Sequence, residues 1–103
     1  MRVLDEQALI PRLIEEFGYP PEGAKLVASD LTPCAEPVAS AFADWWETGT
    51  MPSVEVEGYT VPRLLREQAM HPVAAFLALD WVRREPAKAR RVLHKGHDAV
   101  RAP

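Results

Sequence analysis

The sequence predicts a mainly α-helical protein, a compact bundle of five to six short helices around a central apolar helix at about residues 72–85. Three observations lead to this prediction. Apolar residues recur at helical spacing through most of the chain. Six of the ten prolines stand where a helix can begin. Only residues 53–59 alternate as a β-strand does, which predicts one short extended segment there. At 103 residues, 48% of them hydrophobic, the chain fits a single domain, residues 1–103.

The first two helices are bounded by capping and breaking residues. Asp5 is placed to cap the first helix, and Pro11 is expected to kink or restart it before Gly18 ends it. A second helix is expected from about Pro21 to Leu31, because proline fits the first helical turn, where its missing N–H has no partner in any case.

Residues 13–31, LIEEFGYPPEGAKLVASDL, resemble the helix, glycine–aromatic turn and helix of ubiquitin-associated-like three-helix modules. The resemblance rests on Phe17, Gly18 and Tyr19 and on the apolar spacing. Pro11 and the double proline at 20–21 depart from that pattern. The resemblance implies two joined helices, and no binding residue is carried over from the family.

A third helix is expected over residues 37–48, with Gly49 as its stop. Val38, Phe42 and Trp45 share one face of this helix at helical spacing. Trp46 follows Trp45 by about 100° around the helix, so it is expected at the edge of the apolar stripe.

The stretch SVEVEGYTV, residues 53–61, would place Val54 and Val56 on one side and Glu55 and Glu57 on the other. A lone strand leaves backbone groups unpaired along both edges. The only internal mate suggested by the sequence is the short run at residues 2–4. The alternatives are a connector that drops two valines into the core, pairing with the same segment of a second chain, or pairing with a strand of another protein.

The last three helices follow from further start signals. Thr60 is placed to cap a fourth helix, and Pro72 opens a fifth that is apolar on almost every side and therefore belongs at the centre. Asp80 lies within that apolar helix, and Arg84, one turn later, is its expected ion-pair partner. Pro86 opens a basic terminal helix, residues 86–103, which is expected to pack on the rest of the domain.

Charge is distributed unevenly along the chain. Residues 1–82 carry five Lys and Arg against thirteen Asp and Glu, a net charge of −8, whereas residues 83–103 carry seven against two, a net charge of +5. The candidate basic patch consists of Arg84, Lys88, Arg91 and Lys95. Such a patch suits phosphates, so nucleic-acid binding is the alternative function; the other interpretation is that the tail lies against the acidic body of its own chain.

Residues suited to catalysis or metal binding are few. Cys34 with His71 would make a nucleophile and a base, and His94 with His97 would supply two metal ligands, but neither pair comes with the further groups that such sites need. The sequence therefore predicts neither an enzyme nor a cofactor or metal site.

The composition indicates a cytoplasmic protein that does not enter the membrane, because the only cysteine is Cys34 and no stretch is apolar enough to span a bilayer. Nine arginines against three lysines suit a GC-rich bacterial genome. The leading hypothesis is a small non-catalytic interaction protein of adaptor or inhibitor type, which forms a homodimer or binds a protein partner. Its predicted contact surface consists of Trp46, Val54, Glu55, Val56, Glu57 and Tyr59.

Overall fold

A computed structural model describes the backbone of residues 5–101 and the side chains of residues 5–93. Within these residues the fold is mainly helical, with a small two-stranded sheet, as predicted. The elements in chain order are α1 (Glu6–Glu15), α2 (Pro21–Leu31), α3 (Val38–Thr48), β1 (Glu55–Val56), β2 (Tyr59–Thr60), α4 (Val61–Gln68), α5 (Pro72–Arg84) and α6 (Pro86–Arg101).

The ends of the helices follow from local chemistry. The Asp5 carboxylate accepts a hydrogen bond from the Gln7 N–H at 3.0 Å and caps α1. Pro11 does not restart this helix, because α1 continues through it to Glu15. Pro11 is exposed, so water can reach the helical carbonyl that the missing N–H leaves free. Gly49 ends α3 in the left-handed conformation, with φ +76°, as a glycine stop is expected to do.

The fifth helix is the centre of the core, as the sequence predicts. It packs against α3, α4, α6 and β1. Val73, Phe76, Leu79 and Val82 are all fully buried. They lie on several sides of α5, which explains why the helix shows no polar face of any width.

The extended segment predicted at residues 53–59 is present; it contains β1, a two-residue turn and the first residue of β2, which together form a β-hairpin that the sequence did not predict. Val56 of β1 lies opposite Tyr59 of β2, and Glu55 lies opposite Thr60. Glu57 and Gly58 form the two-residue turn with positive φ values of 51° and 84°, as in the primed turns that suit hairpins. The strand therefore pairs with its own continuation. The mate suggested by the sequence, residues 2–4, lies outside the described residues.

Thr60 explains why the second strand is hard to recognise in the sequence. It ends β2 and also caps α4, where its hydroxyl accepts a hydrogen bond from the Arg63 N–H at 3.2 Å. The cap was predicted and is present. The two residues of β2 show no alternation of their own, so only the turn at Glu57 and Gly58 could have revealed the hairpin.

Candidate interaction surface

The alternation of residues 53–57 places the valines in the core and the glutamates in solvent. Val54, Val56 and Tyr59 are 8%, 8% and 7% exposed, respectively, so their side chains are almost entirely covered by the chain's own core. Glu55 and Glu57 are exposed. Among the hairpin residues of the predicted contact surface, only these two glutamates present their side chains to solvent.

Trp46, the remaining residue of the predicted contact surface, is held by its own chain. Its ring stacks on those of Phe17 and Phe42, with centroids 5.6 and 5.4 Å away. The guanidinium of Arg12 lies 4.1 Å from the Trp46 ring centroid and donates a hydrogen bond to the Trp46 carbonyl at 2.9 Å. Trp46 is therefore half-buried in an aromatic cluster that joins α1 to α3.

Two arginines hold the hairpin turn. Arg63 Nη1 donates to the Gly58 carbonyl at 3.0 Å, while its guanidinium lies 4.8 Å from the Tyr59 ring centroid. Arg90 Nη2 of α6 lies 3.6 Å from the Glu57 carboxylate and 3.4 Å from the Glu57 backbone carbonyl oxygen. These contacts fix the hairpin to α4 and link the basic helix to the acidic segment.

A groove lies between α3 and the extended chain that leads into β1. We call it the edge groove; its volume is about 420 Å³. Its walls are Pro37, Ala41 and Asp44 on one side and Pro52, Ser53, Val54 and Glu55 on the other. A second groove of about 400 Å³ is lined by the same four residues of the extended chain, together with Met51, Thr60 and Pro62. Residues 52–55 therefore line both grooves.

The hairpin geometry determines which way the backbone groups of Glu55 point. Val56 and Tyr59 flank a two-residue turn. The two residues that flank such a turn are hydrogen-bonded to each other. Opposed residues in an antiparallel pair alternate between bonded and non-bonded, so Glu55 and Thr60 form a non-bonded pair. The N–H and C=O of Glu55 consequently point away from β2.

Among the residues that the structure describes, the lining of the edge groove includes the carboxylates of Asp44 and Glu55 and no lysine, arginine or histidine. Its apolar wall is made of small or rigid side chains, since Pro37, Ala41 and Pro52 lie there. The sequence singled out the segment at residues 53–61, which includes Ser53, but not Asp44 or Ala41, because the groove exists only where α3 packs beside the hairpin.

The candidate basic patch is only partly described. Arg84 Nε lies 3.0 Å from Asp80 Oδ2, so this arginine neutralises a carboxylate of its own chain. Lys88 and Arg91 are exposed on α6 next to Val92, whose side chain is 52% exposed. The side chain of Lys95 lies outside the described residues.

The buried carboxylate of Asp80 is the centre of a small polar cluster. Asp80 is 3% exposed, and besides Arg84 it accepts hydrogen bonds from Arg83 Nε at 3.0 Å and from the Ala35 N–H at 3.3 Å. The predicted Asp80–Arg84 pair is therefore present. The contacts from Arg83 and from the Ala35 N–H were not predicted. Arg83 follows Asp80 by three residues, and Ala35 lies in the connection between α2 and α3.

Cys34 belongs to the same cluster as Asp80 and is poorly suited to act as a nucleophile. Burial, reinforced by the negative charge of Asp80 and a hydrogen bond to it, raises the pKa of the Cys34 thiol to about 12. The nearby Arg84 and Arg83 act in the opposite direction but do not prevail. His71, the base considered with it, caps α5 instead, where its Nδ1 accepts a hydrogen bond from the Val73 N–H at 3.2 Å.

The raised pKa makes Cys34 a slow thiol. The pKa of a free cysteine is near 8.5, so at pH 8 the thiolate fraction of Cys34 is lower than that of a free cysteine by a factor of more than about a thousand. A more basic thiolate is a better nucleophile, which offsets only part of the resulting loss of reaction rate. We expect Cys34 to react with an aromatic disulfide reagent on the order of fiftyfold more slowly in the folded protein than in guanidinium chloride. Equal rates in the two conditions would contradict a half-buried thiol that stays protonated.

Metal and membrane sites find no support in the residues that the structure describes. None of these residues form a group of three or more histidine, cysteine or carboxylate side chains that could hold a metal ion. The side chains of His94 and His97 lie outside them. In the same part of the chain, no helix combines the length and apolar character needed to cross a bilayer.

Comparisons with known proteins give no relative. No protein-family model, no curated protein and no solved structure matches the chain. Function must therefore be argued from the surface itself.

Proposed function

We propose that this chain is a small non-catalytic interaction protein, of adaptor or inhibitor type, and that the edge groove is its contact surface. One observation carries the proposal: Glu55, whose backbone N–H and C=O are directed away from β2 by the hairpin register, lines a groove of about 420 Å³. Native proteins usually cover, bulge or blunt strand edges, because an open edge is a template for another strand. Here the edge borders a depression, which leaves room for that strand.

The lining chemistry of the edge groove favours binding over catalysis. The described part of its lining contains two carboxylates and the hydroxyl of Ser53, but no histidine, cysteine or lysine. None of these described side chains could activate Ser53 as histidine or lysine bases do in known nucleophilic sites. The proposal places the protein in the bacterial cytoplasm, where a single unpaired cysteine such as Cys34 persists as a thiol.

The proposal is tested by blocking the groove with a bulky side chain. Ser53 is exposed and lines both grooves, so Ser53→Trp should fill the groove without disturbing the core. Ser29 is also exposed but lies on α2, so Ser29→Trp is a matched control. We expect affinity capture from the native lysate, quantified by mass spectrometry, to retain a partner with the wild type and Ser29→Trp and to lose it with Ser53→Trp. A partner set identical for all three proteins would contradict the proposal.

Nucleic-acid binding through α6 is the second candidate, and one observation favours it. Lys88 and Arg91 are exposed, and neither forms an ion pair with the side chains that the structure describes. If this function is right, the protein binds random duplex DNA at about 50 mM salt. Replacing Lys88, Arg91 and Lys95 with Gln then makes the plot of log binding constant against log salt concentration less steep, by about one unit for each phosphate that the variant no longer neutralises. Lys25→Gln on α2 is the control, and absence of binding at this salt concentration would rule the function out.

A further inference from the structure

We propose that Arg83 and Arg84 form a binding site for the phosphate group of a phosphorylated protein segment. The site lies at the carboxyl end of α5, where both side chains contact the buried carboxylate of Asp80. We call these two residues the arginine pair. The site goes beyond the proposed function, because the arginine pair shares no residue with the described lining of the edge groove.

Asp80 holds each arginine by a single nitrogen. Arg83 Nε lies 3.0 Å from Asp80 Oδ1, and Arg84 Nε lies 3.0 Å from Asp80 Oδ2. Within the described part of the chain, neither guanidinium group forms a further ion pair or hydrogen bond. A guanidinium group carries two Nη amino groups besides Nε. Those of the arginine pair therefore remain available to an anion from outside the chain.

One carboxylate cannot neutralise two guanidinium groups. Asp80 and the arginine pair together keep a net charge of about +1. Residues 80–91 carry five basic side chains against two acidic ones, and Lys88 among them is exposed. The second acidic side chain is Glu85, whose carboxylate accepts a hydrogen bond from Trp81 Nε1 at 2.9 Å. These positive charges outweigh the partial negative charge of about half a unit at the carboxyl end of a helix.

The arginine pair is exposed while its anchor is buried. The side chains of Arg83 and Arg84 are 30% and 57% exposed, so solvent and a ligand can reach both guanidinium groups. Because a buried carboxylate already restrains each side chain at Nε, anion binding costs less side-chain entropy than it does at a free surface arginine. This anchor distinguishes the arginine pair from Lys88 and Arg91, which are exposed and have no ion-pair partner among the described side chains.

A phosphate monoester fits the arginine pair better than a carboxylate or a nucleic acid does. A phosphorylated side chain carries a charge of about −1.5 to −2 and three acceptor oxygens, so it can accept hydrogen bonds from both guanidinium groups. A carboxylate has one charge and two oxygens. A nucleic acid presents a row of phosphates, and the net charge of −8 on residues 1–82 repels such a polyanion more than a single phosphate group. Arginine clusters are a recurring means of recognising phosphorylated segments.

The proposed site can be tested with three blocked, glycine-rich peptides that differ only at the central residue, which is phosphoserine, serine or glutamate. We expect only the phosphoserine peptide to bind with a Kd below about 1 mM. Its binding should shift the Nε–H NMR signals of Arg83 and Arg84, the groups that contact Asp80. The serine peptide controls for contacts of the backbone, and the glutamate peptide controls for negative charge alone.

Variants at Arg84 connect this binding to the arginine pair. Arg84→Gln removes one guanidinium group and leaves Asp80 its contacts with Arg83 and the Ala35 N–H, so it should fold and bind the phosphoserine peptide about fivefold more weakly. Arg84→Lys keeps the charge but lacks the planar set of donors, and should bind about threefold more weakly. Arg66→Gln removes the same charge from an exposed position on α4 and should leave the affinity unchanged.

Four results would overturn the proposed site. They are absence of binding by the phosphoserine peptide, equal binding of the serine or glutamate peptide, equal affinity of Arg84→Gln and Arg66→Gln, and tighter binding of random duplex DNA that shifts the same Nε–H signals. The last result would identify a nucleic acid as the ligand. If Arg84→Gln alters the backbone amide signals of α5, the comparison of Arg84→Lys with Arg66→Gln decides in its place. Ser53→Trp tests the edge groove separately, so the two proposals fail independently.

Discussion

Replacing Phe76 with alanine should lower the free energy of unfolding by about 3–5 kcal/mol. Phe76 is fully buried on α5, and its ring centroid lies 5.4 Å from that of Phe42 and 5.4 Å from that of Trp45. The truncation removes both aromatic contacts and leaves a cavity between α3 and α5, which close packing around a fully buried ring cannot fill completely. Urea unfolding followed by circular dichroism measures the loss.

Leu26→Ala provides the control for this experiment. Leu26 lies on α2 with 70% of its side chain exposed, so its truncation removes little buried surface and should cost less than about 0.5 kcal/mol. A loss below about 1 kcal/mol for Phe76→Ala would show that the core is not centred on α5.

The second large effect concerns Asp80. We expect Asp80→Asn to lower the free energy of unfolding by about 2 kcal/mol, because two charge-assisted contacts to arginine lose their negative partner. The full cost of breaking a buried ion pair is not expected, since the side chains of Arg83 and Arg84 are 30% and 57% exposed and water can solvate them. The amide oxygen can still accept the hydrogen bond from the Ala35 N–H.

A matched substitution distinguishes this effect from a general loss of negative charge. Glu22→Gln removes an exposed carboxylate on α2 and should change the free energy of unfolding by less than about 0.5 kcal/mol. If Asp80→Asn destabilises the protein no more than Glu22→Gln does, the cluster around Asp80 contributes nothing to folding, and its buried charge is simply tolerated.

Much of the fold could be predicted from local sequence, because local chemistry determines it. The bounds of α2, the stop at Gly49 and the cap at Thr60 depend on residues within a few positions of each helix end. The central position of α5 follows from apolar residues around its whole circumference. Pro11 shows the limit of such reasoning: proline disfavours a helix interior, yet α1 continues through it on an exposed face, where the cost is reduced by water.

The candidate site was predicted only in part. Alternation assigned Val54 and Val56 to one side and Glu55 and Glu57 to the other, and the structure agrees. It left open whether the buried side packs on the chain's own core or on a partner, so Tyr59 and both valines entered the predicted contact surface. A pattern of period two specifies which residues share a face, but what covers that face depends on distant parts of the chain.

The sequence by itself determined the helical class, the central helix, the Asp80–Arg84 pair and the faces of the extended segment, because each depends on spacing within one element. The tertiary structure decided that Trp46 lies beneath Arg12, that Glu57 meets Arg90, and that Asp44 and Glu55 line one groove. Those pairs are separated along the chain and meet only when α1, α3, α6 and the hairpin pack together. Burial is a property of the assembled core, so no local pattern specifies which residues the rest of the chain covers.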